Sequence, residues 1–368
     1  MATYNPFEKF IRPKTETGVF SETEVNLANR NSGLPLESLE YDVTPIGQHY
    51  LLIHFDIPKL NQSDHIISFT GDFLNPFTLN YKDIKKMPSQ TIPVTLECAG
   101  NGRSSMEPRS FSMPWSYGAV GTSEWTGTPM KALIKSAKPK NDVINFIFTG
   151  ADRGFDSGVE HNFERSLTIE QINNLDVLLV YEMNGKPLLP QHGAPFRIVV
   201  PGWYGMASVK WLSEVKASTE PFQGYQQVGT YRYRQKRDDE GEPITSMKVK
   251  SLMKPPGIPD WTSRKRIVSS GKVDLMGRAW AGSGRQIIKV EVSINGSWYN
   301  AIVDQDSSKY AWTKWNFEWT AIPGDYIISS RATDETGDIQ PLETLFDVGG
   351  FANNSVQKTH VFVRKAEQ

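Results

Sequence analysis

The sequence predicts an α+β protein: a mixed α/β first part followed by an all-β, immunoglobulin-like sandwich. Three observations carry that expectation. Over residues 50–215 short apolar runs alternate with loops and a few helical stretches, residues 216–268 break this pattern, and beyond them apolar and polar residues alternate in short runs separated by turns. A length of 368 residues fits about two to three domains. We divide the chain into an arm (1–40), a first domain (41–250) and a second domain (251–368).

The arm is polar and turn-rich, with Asn29-Arg30-Asn31-Ser32-Gly33 and Pro35, and is expected to be extended with at most short helices. Strands are expected at 50–55, 66–70, 91–96, 143–149, 177–181 and 196–200, and helices at 81–86, 130–137 and 168–173. Ser166 or Thr168 would cap the last helix, with Glu170 in its first turn. The run 235–243 is charged and exposed, and 253–259, rich in proline, reads as a linker. After it, 287–294 alternates apolar and polar residues, Asn295-Gly296 marks a hairpin, and 315–319 and 326–332 alternate again. The tryptophans of this part, Trp280, Trp298, Trp312, Trp315 and Trp319, are expected in a sandwich core or a subunit interface.

Composition narrows the function. A formal charge of -1 offers no electrostatic case for nucleic acid or an anionic membrane. No stretch of about 18 apolar residues occurs, so no transmembrane helix is expected. The first fourteen residues are mixed and polar, unlike a signal peptide, which favours the cytoplasm; the periplasm would require a leader removed beforehand. The glycine-rich stretch around Gly282 lacks a Gly-Lys-Ser/Thr signature and a following helix, so nucleotide binding is not expected there.

The single cysteine, Cys98, follows a β-type run and enters a turn built from Gly100, Asn101 and Gly102, with Arg103 just beyond. Small residues let the backbone approach a large group, and a thiolate beside fixed positive charge is the form that attacks or ligates. Free cysteine is also among the most buried residue types, so the turn alone leaves core packing open. A second dense segment contains YEMNG, HGAPFRIVVPG and SVKWL within residues 181–212.

Together with TLECAGNGR around Cys98, these motifs resemble the sulfite oxidase family of molybdenum cofactor enzymes, which includes the molybdenum domain of eukaryotic nitrate reductase. The resemblance runs from about residue 40 to the C-terminus and includes GRAWAGSGRQIIKVEVSING and RATDETGDIQP. It implies a sulfite oxidase-type molybdopterin-binding domain followed by a dimerisation sandwich. By this resemblance Cys98 ligates molybdenum, which is otherwise held by the dithiolene of a single pyranopterin (molybdopterin). Asp152, His192, Arg197, Ser208 and Lys210 match positions that grip the pterin and its phosphate; phosphate recognition suits cations and hydroxyls. Arg103 matches an arginine that holds anionic substrate, and His54 matches the histidine of the family's Arg-Asn-His segment. The active-site tyrosine falls at Tyr231, with Tyr233 close enough in register to compete.

One departure matters. The arginine and asparagine of that segment are Leu52 and Ile53 here. The lost charge must come from Arg103 alone, or from Arg153, Arg165, His161 or a basic residue of the sandwich, because a dianion in a partly desolvated site needs paired charge. The resemblance implies oxidation of sulfite to sulfate by oxygen-atom transfer in a homodimer. The alternatives are the same cofactor reducing another oxoanion, an S-oxide or an N-oxide, and a binding protein that has lost its metal. No Cys-x-x-Cys-His haem motif is present, so electrons are expected to leave to an external acceptor, a cytochrome or a soluble oxidant.

Overall fold

A computed structural model describes residues 20–366; the first nineteen residues of the expected arm lie outside the described residues. Among the described residues the architecture is mostly strand, with four α-helices, Glu22–Arg30, Tyr81–Lys85, Met130–Ala137 and Ile169–Asn174. No helix is long and apolar enough to cross a membrane.

Two five-stranded sheets build the first part. One runs in the order Phe77–Asn80, Ile66–Gly71, Leu212–Ser218, Asn145–Asp156, Val159–Thr168, and its only parallel pair joins Ile66–Gly71 to Leu212–Ser218. The other joins Gln90–Glu97, Val120–Pro129, Leu178–Met183 and Lys186–Pro187, with Arg197–Val199 pairing alongside Leu178–Met183. Phe69, Phe146, Phe148, Phe196 and Ile198 fill the largest core, between them less than 2% exposed each. Burial of large apolar side chains at this density is the main force holding such layers together.

The second part is a sandwich of a four-stranded and a six-stranded sheet. Their facing sides share one core of Met253, Leu275, Val290, Val292, Trp315, Ile328 and Val361. Asn295-Gly296 forms the expected hairpin turn between Ile287–Ile294 and Ser297–Asn300, with φ of 49° and 90°. Both positive φ values belong to the tight turn that matches strand twist. Trp315 and Trp319 pack in the sandwich core, whereas Trp280 and Trp312 join the core of the first part. Trp298 lies under Arg331, 4.3 Å from ring centre to guanidinium.

Several expectations are corrected. Residues 50–55 form no strand; Leu51 makes one isolated bridge to Ser32, and Ile53 N–H donates to Asn31 Oδ1 at 2.7 Å. The apolar run there lines two cavities rather than forming a pleated ladder. Within the described part of the arm, Glu22–Arg30 is a short, nine-residue helix with a full capping box from Ser21 and Glu24. Its Leu27 and Ala28 pack against the Cys98 cluster, and buried Glu24 pairs with Arg109. Lys250–Met253, at the start of the expected linker, is a fully buried strand paired to Gly271–Trp280. Thr168, not Ser166, caps the helix Ile169–Asn174. Val120–Pro129 was not expected as a strand, because Gly, Ser and Thr hide its burial on both sides.

Candidate active site

The strand Gln90–Glu97 delivers Cys98 to the floor of a cleft. Cys98 N–H donates to Ala119 O at 2.9 Å, and Cys98 O accepts from Asn101 N–H at 2.9 Å, which closes the turn. Gly102 then takes φ of 88°, which a side chain would strain, and starts the single helical turn Arg103–Ser105. Asn101 ties the turn to its flanks: Oδ1 accepts from Ala119 N–H at 3.0 Å, and Nδ2 donates to Glu97 Oε1 at 3.0 Å.

Behind the turn lies a buried charged network. Lys250 Nζ donates to Glu97 Oε1 at 2.8 Å and to Asn353 O at 2.7 Å, while Trp280 Nε1 donates to Glu97 Oε2 at 2.9 Å. Asn353 Nδ2 in turn donates to Gly102 O at 2.8 Å. The strand that begins at Lys250, the strand that ends at Trp280 and the segment at Asn353 therefore clamp the cysteine turn from behind. Sequence reading missed this set, because Lys250, Trp280 and Asn353 carry no motif of their own.

Two cavities meet at Cys98. Leu52, His54, Cys98 and Tyr231 line both. The first is a slot of about 640 Å³ of non-protein space. It gathers Asp152, His192, Arg197, Ser208 and Lys210, together with His49, Tyr50 and Gln191. All five residues proposed to grip a phosphorylated pterin thus share one narrow cleft with Cys98 and His54. Sequence reading missed His49, which has no motif neighbour to mark it.

The cations of the slot are poorly answered. Arg197 donates to main-chain carbonyls, His192 O and Ser208 O both at 3.1 Å and Ile198 O at 3.4 Å, and Lys210 Nζ donates to Leu52 O at 2.7 Å and Gln191 O at 3.4 Å. Burial pushes Lys210 down to about 7, with Arg197 opposing its charge and Asp152 supporting it. Burial pushes Asp152 up to about 7, against the pull of Lys210. Arg197 falls to about 10 for the same reason, burial. Burial also keeps His192 and His54 neutral, each pushed down to about 3, and His49 down to about 4. Asp152 Oδ1 and His49 Nε2 are buried without a hydrogen-bond partner. Such groups are costly unless something polar reaches them. Gly193, at φ of 102°, lies where a Cβ would come within 2.9 Å of Lys210 Cβ and 3.2 Å of Arg197 Cβ, so glycine lets the two cations converge.

The Cys98 thiol is pushed up by burial, with Arg103 and the Gly100 backbone opposing that rise. Burial by itself favours the thiol, and a bound cation would stabilise its anion. Among the described residues no three His, Cys, Asp or Glu side chains converge as a metal site. A metal at Cys98 must bring its remaining ligands with it.

The second cavity holds about 880 Å³ of non-protein space on the other side of Cys98 and includes Arg103, Asp156 and Tyr231. Tyr231 hydroxyl and His54 Nε2 are 2.7 Å apart, and burial pushes the phenol well above its ordinary range. Tyr233 stands elsewhere, its hydroxyl directed to Leu345 O at 3.5 Å. Arg103 donates from Nε to Gly349 O at 3.0 Å and from Nη1 to Met113 O at 2.8 Å. None of the residues expected to replace the missing arginine lines this cavity. Arg153 is exposed and pairs with Glu160, buried Arg165 donates to Gln226 O beside the Tyr231 ring, and His161 is 2.9 Å from Gln226 Nε2.

Comparison with known proteins gives two family matches. Residues 54–226 match the oxidoreductase molybdopterin-binding domain, and residues 242–364 match the Mo-co oxidoreductase dimerisation domain. The chain is 28% identical over 341 residues to the NADH nitrate reductase of Ulva prolifera, covering 85% of this chain and 40% of that enzyme. It is 29% identical over 360 residues to the mitochondrial sulfite oxidase of Homo sapiens, covering 90% of this chain and 64% of that enzyme. The chain thus spans well under two thirds of the nitrate reductases it matches and just under two thirds of the sulfite oxidases. Its fold is similar to that of the sulfane dehydrogenase SoxCD from Paracoccus pantotrophus, with a TM-score of 0.77 over 99% of this chain and all of that one, at 23% identity.

Proposed function

This chain belongs to the sulfite oxidase family of molybdenum cofactor oxidoreductases, and from that premise we propose that it oxidises a sulfur oxoanion by oxygen-atom transfer, sulfite to sulfate in the simplest case. The observation that carries the reading is the junction at Cys98: a phosphate-suited cationic slot on one side and a chamber with Arg103 and Tyr231 on the other.

The molybdenum–molybdopterin cofactor fits the slot. Arg197, Lys210 and Ser208 suit the phosphate, the unpartnered Asp152 Oδ1 and His49 Nε2 suit the polar edges of a pterin, and Cys98 supplies the one protein thiolate. When bound, this cofactor supplies two-electron redox chemistry coupled to oxygen transfer.

The chain's own residues then do the positioning. Arg103 offers the substrate anion a buried guanidinium that already donates to Gly349 O and Met113 O and so has little freedom to move. Tyr231 remains a phenol and can donate to the oxoanion while His54 holds its oxygen. Trp115 and Leu52 keep water from the thiol side of the chamber. Electrons pass to an external acceptor, either a cytochrome or a soluble oxidant. The chain works as a homodimer formed through residues 242–364, in keeping with the dimerisation model that matches there. The division at residues 40 and 250 and a cytoplasmic location belong to the same proposal.

The second reading, reduction of an S-oxide or N-oxide, draws on Leu52, which leaves the chamber one cation poorer than the family segment implies. Cys98→Ser tests the main reading. The variant should keep its fold by circular dichroism yet lose molybdenum and sulfur oxidation by at least about a hundredfold, more than second-sphere changes cost. Full sulfur oxidation by Cys98→Ser would refute it.

A further inference from the structure

The charge balance of the substrate chamber says which sulfur oxoanion fits. Apart from His54 and the thiol, its charged lining is Arg103 and Asp156, and buried Arg165 stands just behind the Tyr231 ring and Gln226, so two guanidinium groups and one carboxylate leave a net of one positive charge. Arg103 forms no ion pair among the described residues, and its guanidinium sits 5.1 Å over the Phe351 ring. Asp156 accepts from Gln226 Nε2 at 3.5 Å and from Ser157 Oγ at 3.1 Å, and it has no ion-pair partner among the described residues. Leu52, Met113 and Phe351 line the same chamber and are apolar, and Trp115 adds a large ring whose Nε1 is buried without a hydrogen-bond partner. Met113 and Trp115 are 8% and 4% exposed, so this wall is dry rather than a solvated rim.

A dianion here would leave one charge unpaired in a desolvated space and would face Asp156 as well. A monoanion pairs with Arg103 one to one. If one oxygen of the anion is replaced by carbon, the apolar wall gains a partner. We propose that the substrate is an organic sulfinate, a sulfur oxoanion with a single negative charge and an alkyl or aryl substituent, oxidised to the sulfonate. In the balanced reaction sulfinate and water give sulfonate, two protons and two electrons. One S–O bond forms at the sulfur lone pair, the carbon–sulfur bond is untouched, and the electrons leave singly to a one-electron acceptor. This rests on the sulfur-oxidation reading above and specifies its substrate.

The test uses the full-length, metal-loaded protein with ferricyanide as acceptor. Methanesulfinate, propanesulfinate, benzenesulfinate and sulfite are compared by kcat/KM. Calorimetric titration with the matching sulfonates and sulfate gives affinity without turnover. The expected result is benzenesulfinate at least about tenfold above sulfite, with sulfonate affinity rising about fourfold per buried methylene. Leu52→Arg, and independently Met113→Lys, should shift the ratio toward sulfite by about tenfold or more, the scale of one charge pair or one buried group. A wild-type preference for sulfite with no dependence on substituent size overturns the sulfinate assignment and leaves sulfur oxidation standing. Molybdenum-loaded protein that oxidises neither class, or that reduces sulfoxides instead, overturns both.

Discussion

Replacing Lys250 with methionine tests whether the second part of the chain holds the cysteine turn in place. Methionine keeps an unbranched stem of similar reach and removes the ammonium. What is lost is a pair at 2.8 Å to Glu97 and hydrogen bonds to Asn353 O at 2.7 Å and Asn101 O at 3.5 Å. Both charged side chains are no more than 2% exposed, so solvent cannot take over. Leaving one member of such a pair buried and uncompensated costs about 3–5 kcal/mol. Spread over the unfolding entropy of a chain of this length, that is a fall in Tm of about 4–6 °C. Glu97 keeps Asn101 Nδ2 and Trp280 Nε1 as donors, so the defect is mainly electrostatic. Glu97→Gln in the Lys250→Met background removes the orphaned charge and should recover at least about 1 kcal/mol, because one amide oxygen still accepts from a neighbour. Differential scanning calorimetry of wild type, both single variants and the double variant gives the coupling, and molybdenum content of the same samples reports on the turn. An unchanged Tm in Lys250→Met, or a double variant that merely adds the two single losses, would refute the reasoning.

Two further outcomes follow from the slot. Lys210→Ala and Arg197→Ala each remove a charge-assisted contact worth about 1.5–3 kcal/mol, so cofactor retention on dialysis should weaken by about ten- to a hundredfold in each, read as metal content after washing. The cofactor-free protein should lose stability as the pH falls from about 6.5 toward 4. His49, His54 and His192 are held neutral in the fold, pushed to about 4, 3 and 3, while the unfolded chain protonates them near the ordinary histidine value. The unfolded state therefore binds more protons over that window. Asp152, raised to about 7, binds one proton more in the folded state over the same range and offsets one histidine. The net of two protons gives a loss of roughly 2.7 kcal/mol per pH unit at most. Urea unfolding at pH 6.5 and 5 reads this directly, and equal stabilities at the two pH values would show that the histidines are not buried neutral.

The chemistry-bearing residues were legible from sequence because they sit in compact runs. Cys98, Arg103, His192, Arg197, Ser208 and Lys210 lie within short segments whose order alone marks a cofactor cleft, and the structure brings them to one junction. Strands with a local apolar run, such as Ile66–Gly71, Gln90–Glu97 and Ile287–Ile294, were also legible, whereas Val159–Thr168, Leu212–Ser218 and Gly271–Trp280 were not expected. Where local pattern and tertiary setting part, reading failed: 50–55 is a short apolar run like a strand but lines two cavities, and Val120–Pro129 is a central strand without an apolar pattern. Between Tyr231 and Tyr233 spacing could not choose, and only burial against His54 and Arg165 separates them.

The amino-acid sequence by itself, through its family resemblance, pointed to a cofactor cleft, to Cys98 as its candidate ligand and to the change at Leu52, because each lies in a short, compact motif. Only the tertiary structure decided what surrounds Arg103 and what stands behind Cys98. Phe351 reaches the guanidinium of Arg103, whose Nε donates to a carbonyl 246 residues away, and Lys250 meets Glu97 across 153 residues. Desolvation and charge pairing depend on which groups are close in space, and for these residues closeness is set by how the sandwich packs on the cleft rather than by their order along the chain.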